Sequence, residues 1–145
     1  TAKKEVDLDK LLKEIITTIY IPENIKVTTL NILPVIKGDK VKLQQLFQNL
    51  ISNAVKFIDK PKGLIEIAVE EEKEHYKFSI KDNGIGIKKQ YFDKIFKVFH
   101  SLKKSKESTG IGLSIVKKIV TLHEGEIWLE SEINIGTTFY FTLKK

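Results

Sequence analysis

The sequence lacks several residue types and patterns, and each absence excludes a class of protein. Its 145 residues include no cysteine, so disulfide frameworks, thiolate metal sites and cysteine nucleophiles are excluded. The three histidines are too scattered for a histidine-rich metal cage. No apolar run approaches the roughly 20 residues of a membrane span, and no signal-peptide pattern opens the chain. Methionine is absent even at position 1, so we expect a fragment of a longer protein.

Arginine is also absent, since all 25 basic residues are lysines, and the net charge is +6. Arginine is the residue that most often reads guanine through paired hydrogen bonds in the DNA major groove. The lysines are spread along the chain, which favours a solvated surface over a nucleic-acid interface. Any phosphate group that this protein binds must therefore be held by lysines, backbone amides or a metal ion.

With 41% hydrophobic residues, the chain is predicted to form one α+β domain over residues 1–145. Apolar residues at helical spacing predict amphipathic helices, and alternating apolar residues predict β-hairpins. The predicted elements are a helix at 8–20 capped by Asp7, two short strands within 24–37, a helix of about 18 residues opened by Gly38 and Asp39, a hairpin at 64–81, a short aromatic helix, a helix at 111–123 and a hairpin at 126–143.

Three polar side chains on the second predicted helix have a spacing that suits a ligand. Asn49, Asn53 and Lys56 stand at i, i+4 and i+7, so they can line one cleft. An amide oxygen is a hard, neutral ligand for a Mg²⁺ ion that takes its other ligands from phosphates and water. A nearby lysine would neutralise phosphate charge. An ordinary polar helix face is the alternative interpretation.

Two segments carry glycines at which the backbone can approach a ligand closely. The first follows a predicted strand and contains Asp82, Gly84 and Gly86. A carboxylate there can accept a hydrogen bond from an exocyclic amine, which favours adenine over guanine. An Asn-Gly hairpin turn is the alternative. The segment is not the dinucleotide fingerprint, because the third glycine of that motif is missing.

The second segment, Thr109-Gly110-Ile111-Gly112-Leu113, opens a predicted helix. It presents free backbone amides and the positive end of the helix dipole to an anion. It lacks the Gly-Lys-Ser/Thr sequence of a P-loop. The polar stretch before it, which includes Lys103 and Lys104, predicts a mobile flap, with an ordinary surface loop as the alternative.

The order of these segments resembles the ATP-binding catalytic domain of bacterial sensor histidine kinases. That domain belongs to a superfamily shared with DNA gyrase, heat-shock chaperone ATPases and mismatch-repair proteins. The resemblance covers nearly the whole chain. The matching segments are the N box at 44–57, the first glycine box at 82–87, the F box at 92–99, the second glycine box at 109–113 and the tail at 125–139.

This resemblance implies a two-layer α/β sandwich, with a mixed, mostly antiparallel sheet of about five strands packed on three main helices and a mobile ATP lid at about 100–109. Two departures concern that lid. Ser108 stands where the family usually has a glycine. Many members of the family also use an arginine in or near the lid, and this chain has none. We expect one of the lysines at 103, 104 and 106 to replace it, as a point charge without the fork of arginine.

The resemblance also implies ATP and Mg²⁺ as cofactors, with a role for each matching residue. Asn53 would bind Mg²⁺, Asn49 would support that site and Lys56 would contact phosphate, which makes Asn49 and Lys56 the implied catalytic residues. Phe57 would pack near the nucleotide, and Asp82 would bind the adenine amine, partly through water. The other implied nucleotide contacts are Gly84, Gly86, Ile87, Lys103, Lys104, Thr109, Gly110, Ile111, Gly112 and Leu113.

ATPases of this superfamily generally place a general-base glutamate four residues before the metal-binding asparagine. Here that position is Asn49, which cannot take a proton, and residues 41–57 contain no glutamate. Rapid hydrolysis is therefore disfavoured. We expect transfer of the γ-phosphoryl group to a histidine on a separate dimerisation domain that this chain does not include. His75, His100 and His123 lack the acidic-and-proline pattern of such an acceptor and are expected to be surface or capping residues.

The expected activity is that of an ATP-dependent protein-histidine kinase in two-component signal transduction. The expected partners are the dimerisation and phosphoacceptor domain of the parent kinase and a response regulator. We expect no nucleic-acid partner, no direct membrane insertion, a monomeric isolated domain and a cytoplasmic location, in a soluble or membrane-bound parent. Three alternatives stay open: a serine/threonine protein kinase of the same superfamily, a nucleotide-binding pseudokinase, and a DNA-associated ATPase.

Overall fold

In residues 3–97 and 111–145, which the computed structural model describes, the chain forms three α-helices and two β-sheets. Of residues 111 and 112, only the backbone is described. The helices are α1 (Leu8–Thr18), α2 (Lys40–Phe57) and α3 (Ile111–Leu122). The strands are β1 (Lys4–Asp7), β2 (Ile25–Thr29), β3 (Val35–Gly38), β4 (Gly63–Glu71), β5 (His75–Asp82), β6 (Ile127–Glu132) and β7 (Gly136–Lys144). None of the helices in these two ranges is both long and apolar enough to cross a membrane.

The main sheet has five strands in the order β2-β4-β5-β7-β6. Strands β2 and β4 are parallel, and the other three neighbouring pairs are antiparallel. The predicted fold class is therefore confirmed. A second sheet was not predicted: β1 pairs with β3 in antiparallel register, with Val6 opposite Ile36. β1 contains a single apolar residue among four, so no alternation marks it as a strand, and its partner is 30 positions away along the chain.

Both predicted helix starts are confirmed by side-chain caps. The Asp7 carboxylate accepts a hydrogen bond from the Lys10 N–H at 3.2 Å, and Asp39 accepts one from the Lys42 N–H at 3.2 Å. An aspartate at this position satisfies an amide that has no partner within the helix. Helix α1 ends at Thr18, two residues before the predicted end. The Thr18 hydroxyl donates to the Glu14 carbonyl at 2.7 Å, a local bond that competes with regular helix pairing.

Three phenylalanines join α2 to the sheet. Phe47 of α2 meets Phe78 of β5 and Phe141 of β7 edge-on, with ring centroids 5.8 and 5.5 Å apart. The two strand residues stack on each other at 5.1 Å. All three side chains are fully buried. Because this contact fixes the rotation of α2 about its axis, it also fixes the side on which Asn49 and Asn53 lie.

The aromatic helix predicted between the two glycine segments is wrong within the described residues up to 97. Residues Lys89–Tyr91 form one short 3₁₀ turn, and hydrogen-bonded turns continue to residue 97. The Lys94 and Ile95 amides both donate to the Tyr91 carbonyl, at 2.9 and 3.1 Å. So short a segment gains few helical hydrogen bonds to offset the loss of chain entropy at nucleation. Burial of Ile95, which is 1% exposed, holds the segment instead.

His123 connects the end of α3 to the start of α2. Its side chain is buried, with Nδ1 2.8 Å from the Ile119 carbonyl, and Nε2 accepts a hydrogen bond from the Asp39 N–H at 3.2 Å. Because the Asp39 amide can only donate, the ring proton lies on Nδ1. His123 is thus a capping residue, as predicted, but it is not at the surface.

Replacement of His123 by alanine is expected to lower the free energy of unfolding by about 2–4 kcal/mol, because it leaves a cavity and removes the acceptor of a partly buried amide. Urea denaturation checks this value. The control is His75→Ala, since the His75 side chain is half-buried and its Nε2 lies 2.8 Å from the Glu124 carbonyl. We expect less than about 1 kcal/mol for the control. Equal losses in the two variants would contradict the bridging role of His123.

Candidate nucleotide site

The C-terminal end of α2 contacts the loop that follows β5. The Ile85 N–H donates to the Phe57 carbonyl at 2.9 Å. A side chain at Gly84 would collide with that same carbonyl, so only glycine allows this approach. Asn53 lies one helical turn before Phe57. The structure thus brings the asparagine-bearing helix and the first glycine segment together, although Asn53 and Asp82 are 29 positions apart along the chain.

The predicted polar residues of α2 lie on one uninterrupted helix. Asn49 and Asn53 are half-buried, Lys56 is exposed and the Phe57 side chain is buried. Their helical spacing therefore holds in the fold. An asparagine side chain at the boundary between core and solvent keeps its amide oxygen available to a ligand.

Asp82, the last residue of β5, carries a buried carboxylate that is 5% exposed. One of its oxygens, Oδ1, accepts hydrogen bonds from the Gly84 N–H at 2.8 Å and the Thr137 N–H at 3.3 Å. The other, Oδ2, accepts none from the part of the chain that the structure describes. A buried carboxylate oxygen without a donor is costly, so this atom is suited to receive a hydrogen bond from a bound ligand.

Burial raises the pKa of Asp82 above its ordinary value. The Gly84 and Thr137 amides and the positive charge of Lys60 act in the opposite direction but do not offset the burial. Folding therefore disfavours the ionised form of this carboxyl group. A ligand that donates a hydrogen bond to Oδ2 would stabilise the ionised form.

The loop after Asp82 is held by hydrogen bonds on several sides. The Asn83 side chain accepts from the Leu64 N–H at 2.8 Å and donates to the Lys62 carbonyl at 2.9 Å. The Ile85 carbonyl accepts from the Asn134 N–H at 2.8 Å. No strand follows Asp82 within the described residues up to 97, so the alternative of a hairpin turn is wrong. The loop is a fixed platform beside the Asp82 carboxylate.

Gly86 and Ile87 continue this platform toward strand β6. Gly86 has a φ angle of +78°, and a side chain there would collide with the Glu132 carbonyl. The Ile87 N–H donates to Ser131 Oγ at 2.7 Å, while the Ile87 side chain is buried in the core. Both residues therefore pack the loop against β6.

The remaining predicted contacts belong to the lid and the second glycine box. Ile111 and Gly112 are the first residues of α3, as predicted. The Leu113 side chain is 8% exposed and packs in the core. The other four predicted contacts, of the lid and the second glycine box, lie outside the described residues: Lys103, Lys104, Thr109 and Gly110.

Sequence reasoning missed two residues that support Asp82. Thr137 donates its amide to Oδ1, and its hydroxyl pairs with Ser131 Oγ at 2.7 Å. Lys60 carries the positive charge that acts on the Asp82 carboxyl group. The tail at 125–139 resembles the family pattern, but that resemblance implies no role for Thr137. Nothing in the sequence distinguished Lys60 from the other lysines.

The described residues contain no group of three or more histidine, cysteine or acidic side chains that could hold a metal ion. A neutral amide ligand together with the oxygens of a bound phosphate would suit a divalent cation such as Mg²⁺. The half-buried Asn53 amide fits that donor set.

Residues 38–145 match the family model of histidine kinase-, DNA gyrase B- and HSP90-like ATPases. The chain belongs to this ATPase family, and membership implies ATP binding. Among its relatives, cyanobacterial phytochrome A of Nostoc is 46% identical over 113 residues, which cover 77% of this chain and 15% of the relative. The sensor histidine kinase WalK of Bacillus subtilis is 41% identical over 112 residues, 72% of this chain and 18% of the relative.

Solved structures place the chain more narrowly within the family. The catalytic domain of histidine kinase ThkA, in a nucleotide-free form, matches with a TM-score of 0.83 and 29% identity over 100% of this chain and 99% of that one. The resemblance to the catalytic domain of sensor histidine kinases is thus confirmed. This chain spans only 15–20% of the length of the first three curated relatives that it matches.

Proposed function

We propose that this domain binds Mg-ATP and transfers the γ-phosphoryl group to a histidine on a separate dimerisation domain. The observation that supports this most directly is the placement of Asp82. Its buried carboxylate has one oxygen without a donor among the described residues, beside the end of the helix that carries Asn49 and Asn53. This placement supports a site in which Asp82 recognises the base and the asparagines of α2 lie on the phosphate side.

In this proposal, adenine binds at the end of β5. Its exocyclic amine donates to Asp82 Oδ2, while guanine would present a carbonyl oxygen to the same carboxylate and be rejected. Gly84, Gly86 and Ile87 form the platform that shapes the base pocket. Phe57 packs near the nucleotide from the end of α2.

The phosphates extend along α2 toward α3. Asn53 holds Mg²⁺, Asn49 supports that site and Lys56 contacts phosphate. A bound Mg²⁺ ion supplies charge neutralisation for the phosphoryl oxygens. In this proposal, the phosphate site is completed by the lid and the second glycine box, through Lys103, Lys104, Thr109, Gly110, Ile111, Gly112 and Leu113.

The nucleophile comes from outside the domain. Asn49 cannot act as a general base, and α2 contains neither aspartate nor glutamate, so water is activated poorly. His123 is buried between two helix ends, and the Nε2 of His75 is bonded to a backbone carbonyl. His100 lies outside the described residues. Neither described histidine is therefore presented as a phosphoacceptor.

The proposal extends to the parent protein. It is a two-component sensor kinase in which this domain is the cytoplasmic catalytic part, monomeric when isolated. It acts on the dimerisation and phosphoacceptor domain of the same parent. The phosphohistidine formed there then donates its phosphoryl group to a response regulator. Nucleic acid has no role in this cycle.

Mixing this domain with the dimerisation domain of its parent and radiolabelled ATP is expected to label the dimerisation domain with acid-labile, alkali-stable phosphate, as phosphohistidine requires. The control is the same domain with its acceptor histidine replaced by glutamine, which should stay unlabelled. Acid-stable label would support the serine/threonine kinase. ATP binding without transfer would support the pseudokinase. Either of these two outcomes would contradict the proposed transfer.

A further inference from the structure

The ammonium group of Lys60 lies among four backbone carbonyl oxygens. Its Nζ is 2.5 Å from the Asn83 oxygen, 3.2 Å from Gly84, 2.9 Å from Asn134 and 3.5 Å from Ile135. We call these four oxygens the carbonyl cage. Lys60 makes no salt bridge within residues 3–97 and 111–145. The side chain is therefore used as a point charge bound by backbone dipoles, a task for which lysine is better shaped than arginine.

The cage joins two segments that are distant in sequence. Asn83 and Gly84 belong to the loop after Asp82, and Asn134 and Ile135 form the turn between β6 and β7. An ammonium group has three donors and no acceptor, so it can bind carbonyls from both segments at once. Lys60 thus holds the β6–β7 turn against the platform beside Asp82.

The turn that Lys60 holds also determines the surroundings of Asp82. The backbone has positive φ angles of 67° at Asn134 and 144° at Gly136. Non-glycine residues rarely adopt such a conformation, so surrounding contacts must hold it. The next residue, Thr137, donates its amide to Asp82 Oδ1. A shift of the turn would therefore remove one of the two amides that hold the carboxylate.

Lys60 acts on Asp82 through charge as well. Its positive charge favours the ionised form of the buried carboxyl group, which is the form that accepts a hydrogen bond from an amine. The hydrogen bonds of Lys60 and its positive charge thus both influence the Asp82 carboxyl group.

We propose that Lys60 is a positioning residue for base recognition, whose tethered ammonium ion fills the carbonyl cage and holds the Asp82 loop and the β6–β7 turn in their binding geometry. This inference rests on the proposed binding of adenine at Asp82. It has a chemical consequence: a variant without the side chain leaves a cage that a free ammonium ion can fill.

The experiment is calorimetric titration of ATP with Mg²⁺ into wild type, Lys60→Ala and Lys60→Met. Each protein is titrated in ammonium chloride and, at equal ionic strength, in tetramethylammonium chloride, whose cation cannot donate. In tetramethylammonium chloride, both variants should bind ATP about 10- to 100-fold more weakly than wild type, as expected for loss of a charged hydrogen-bond donor. Lys60→Ala should bind ATP at least about threefold more tightly in ammonium chloride than in tetramethylammonium chloride. Lys60→Met should show no such gain, because the methionine side chain occupies the space through which an ammonium ion would reach the carbonyl cage.

The matched control is Lys73→Ala, an exposed lysine in the turn between β4 and β5, at the opposite end of β5 from Asp82. It should bind ATP like wild type in both salts. Failure of wild type to bind ATP would overturn the proposed function itself. Wild-type binding with undiminished affinity in the Lys60 variants would overturn only the role of Lys60. Weak binding by Lys60→Ala without rescue by ammonium would show a packing role and overturn the cage. Failure of both variants to fold would also overturn the proposed role, because Lys60 would then be required for folding of the whole domain.

Discussion

Replacement of Asp82 by asparagine is expected to weaken ATP binding by about 100-fold or more without lowering the stability of the domain. The reason lies in the hydrogen bonds around the carboxylate. Because the Gly84 and Thr137 amides both donate to Oδ1, they will orient the asparagine with its oxygen in that place. The NH₂ group then stands where Oδ2 was. A donor on the protein would face the donor amine of adenine.

The expectation that Asp82→Asn does not lower the stability of the domain follows from the pKa of Asp82. Burial raises that pKa, so the folded chain binds the proton more tightly than the unfolded chain does. The free energy of unfolding therefore falls as the pH rises from the ordinary carboxyl pKa of about 3.9 through the raised value. Asparagine does not titrate. The stability of wild type relative to Asp82→Asn should thus decline over this interval and stay constant above it.

Two measurements check the prediction. Urea unfolding of both proteins from about pH 3 to pH 7 tests the stability. Thermal unfolding with ATP, ADP or GTP tests binding, since ligand at about 100 times its dissociation constant adds about 2.7 kcal/mol to wild type. At about 2–4 °C for each kcal/mol in a domain of about this size, this corresponds to a shift of roughly 5–11 °C, which Asp82→Asn should lose. The control is Asp59→Asn, an exposed aspartate just after α2. An equal ATP-induced shift in wild type and Asp82→Asn would place the base elsewhere.

The second large effect is expected from Asn53→Ala. This change removes the proposed protein ligand to Mg²⁺, and we expect phosphoryl transfer to the dimerisation domain to slow by about 10³-fold, or about 4 kcal/mol. Binding of ATP in the absence of Mg²⁺ should stay within about threefold of wild type, because Asp82 and its loop are untouched.

Single-turnover transfer, measured over a range of Mg²⁺ concentrations, checks this expectation. Gln48→Ala is the matched control: it is also half-buried on α2, about 140° around the helix axis from Asn53. The control should keep both the wild-type rate and the wild-type dependence on Mg²⁺. If Asn53→Ala kept that dependence too, the metal would have to bind through other groups.

Much of the fold followed from local signals. Asp7 and Asp39 mark helix starts, because a capping carboxylate bonds an amide only three residues away. The hairpins β4–β5 and β6–β7 followed from alternation and short turns. The failures were also local in origin. β1 has almost no apolar pattern, and residues 92–97 have aromatic residues but too few helical hydrogen bonds.

The candidate site likewise contains residues that the sequence predicted and residues that only the structure revealed. By itself, the sequence determined the chemical groups that carry the proposed function, because Asn49, Asn53 and Lys56 are related by helix period, and Asp82 is adjacent to its glycines. Only the tertiary structure decided which residues support them. Lys60, Thr137 and His123 bond to partners 23, 55 and 84 positions away. Such contacts have no period along the chain, and they exist only because the sheet and helices bring these segments together.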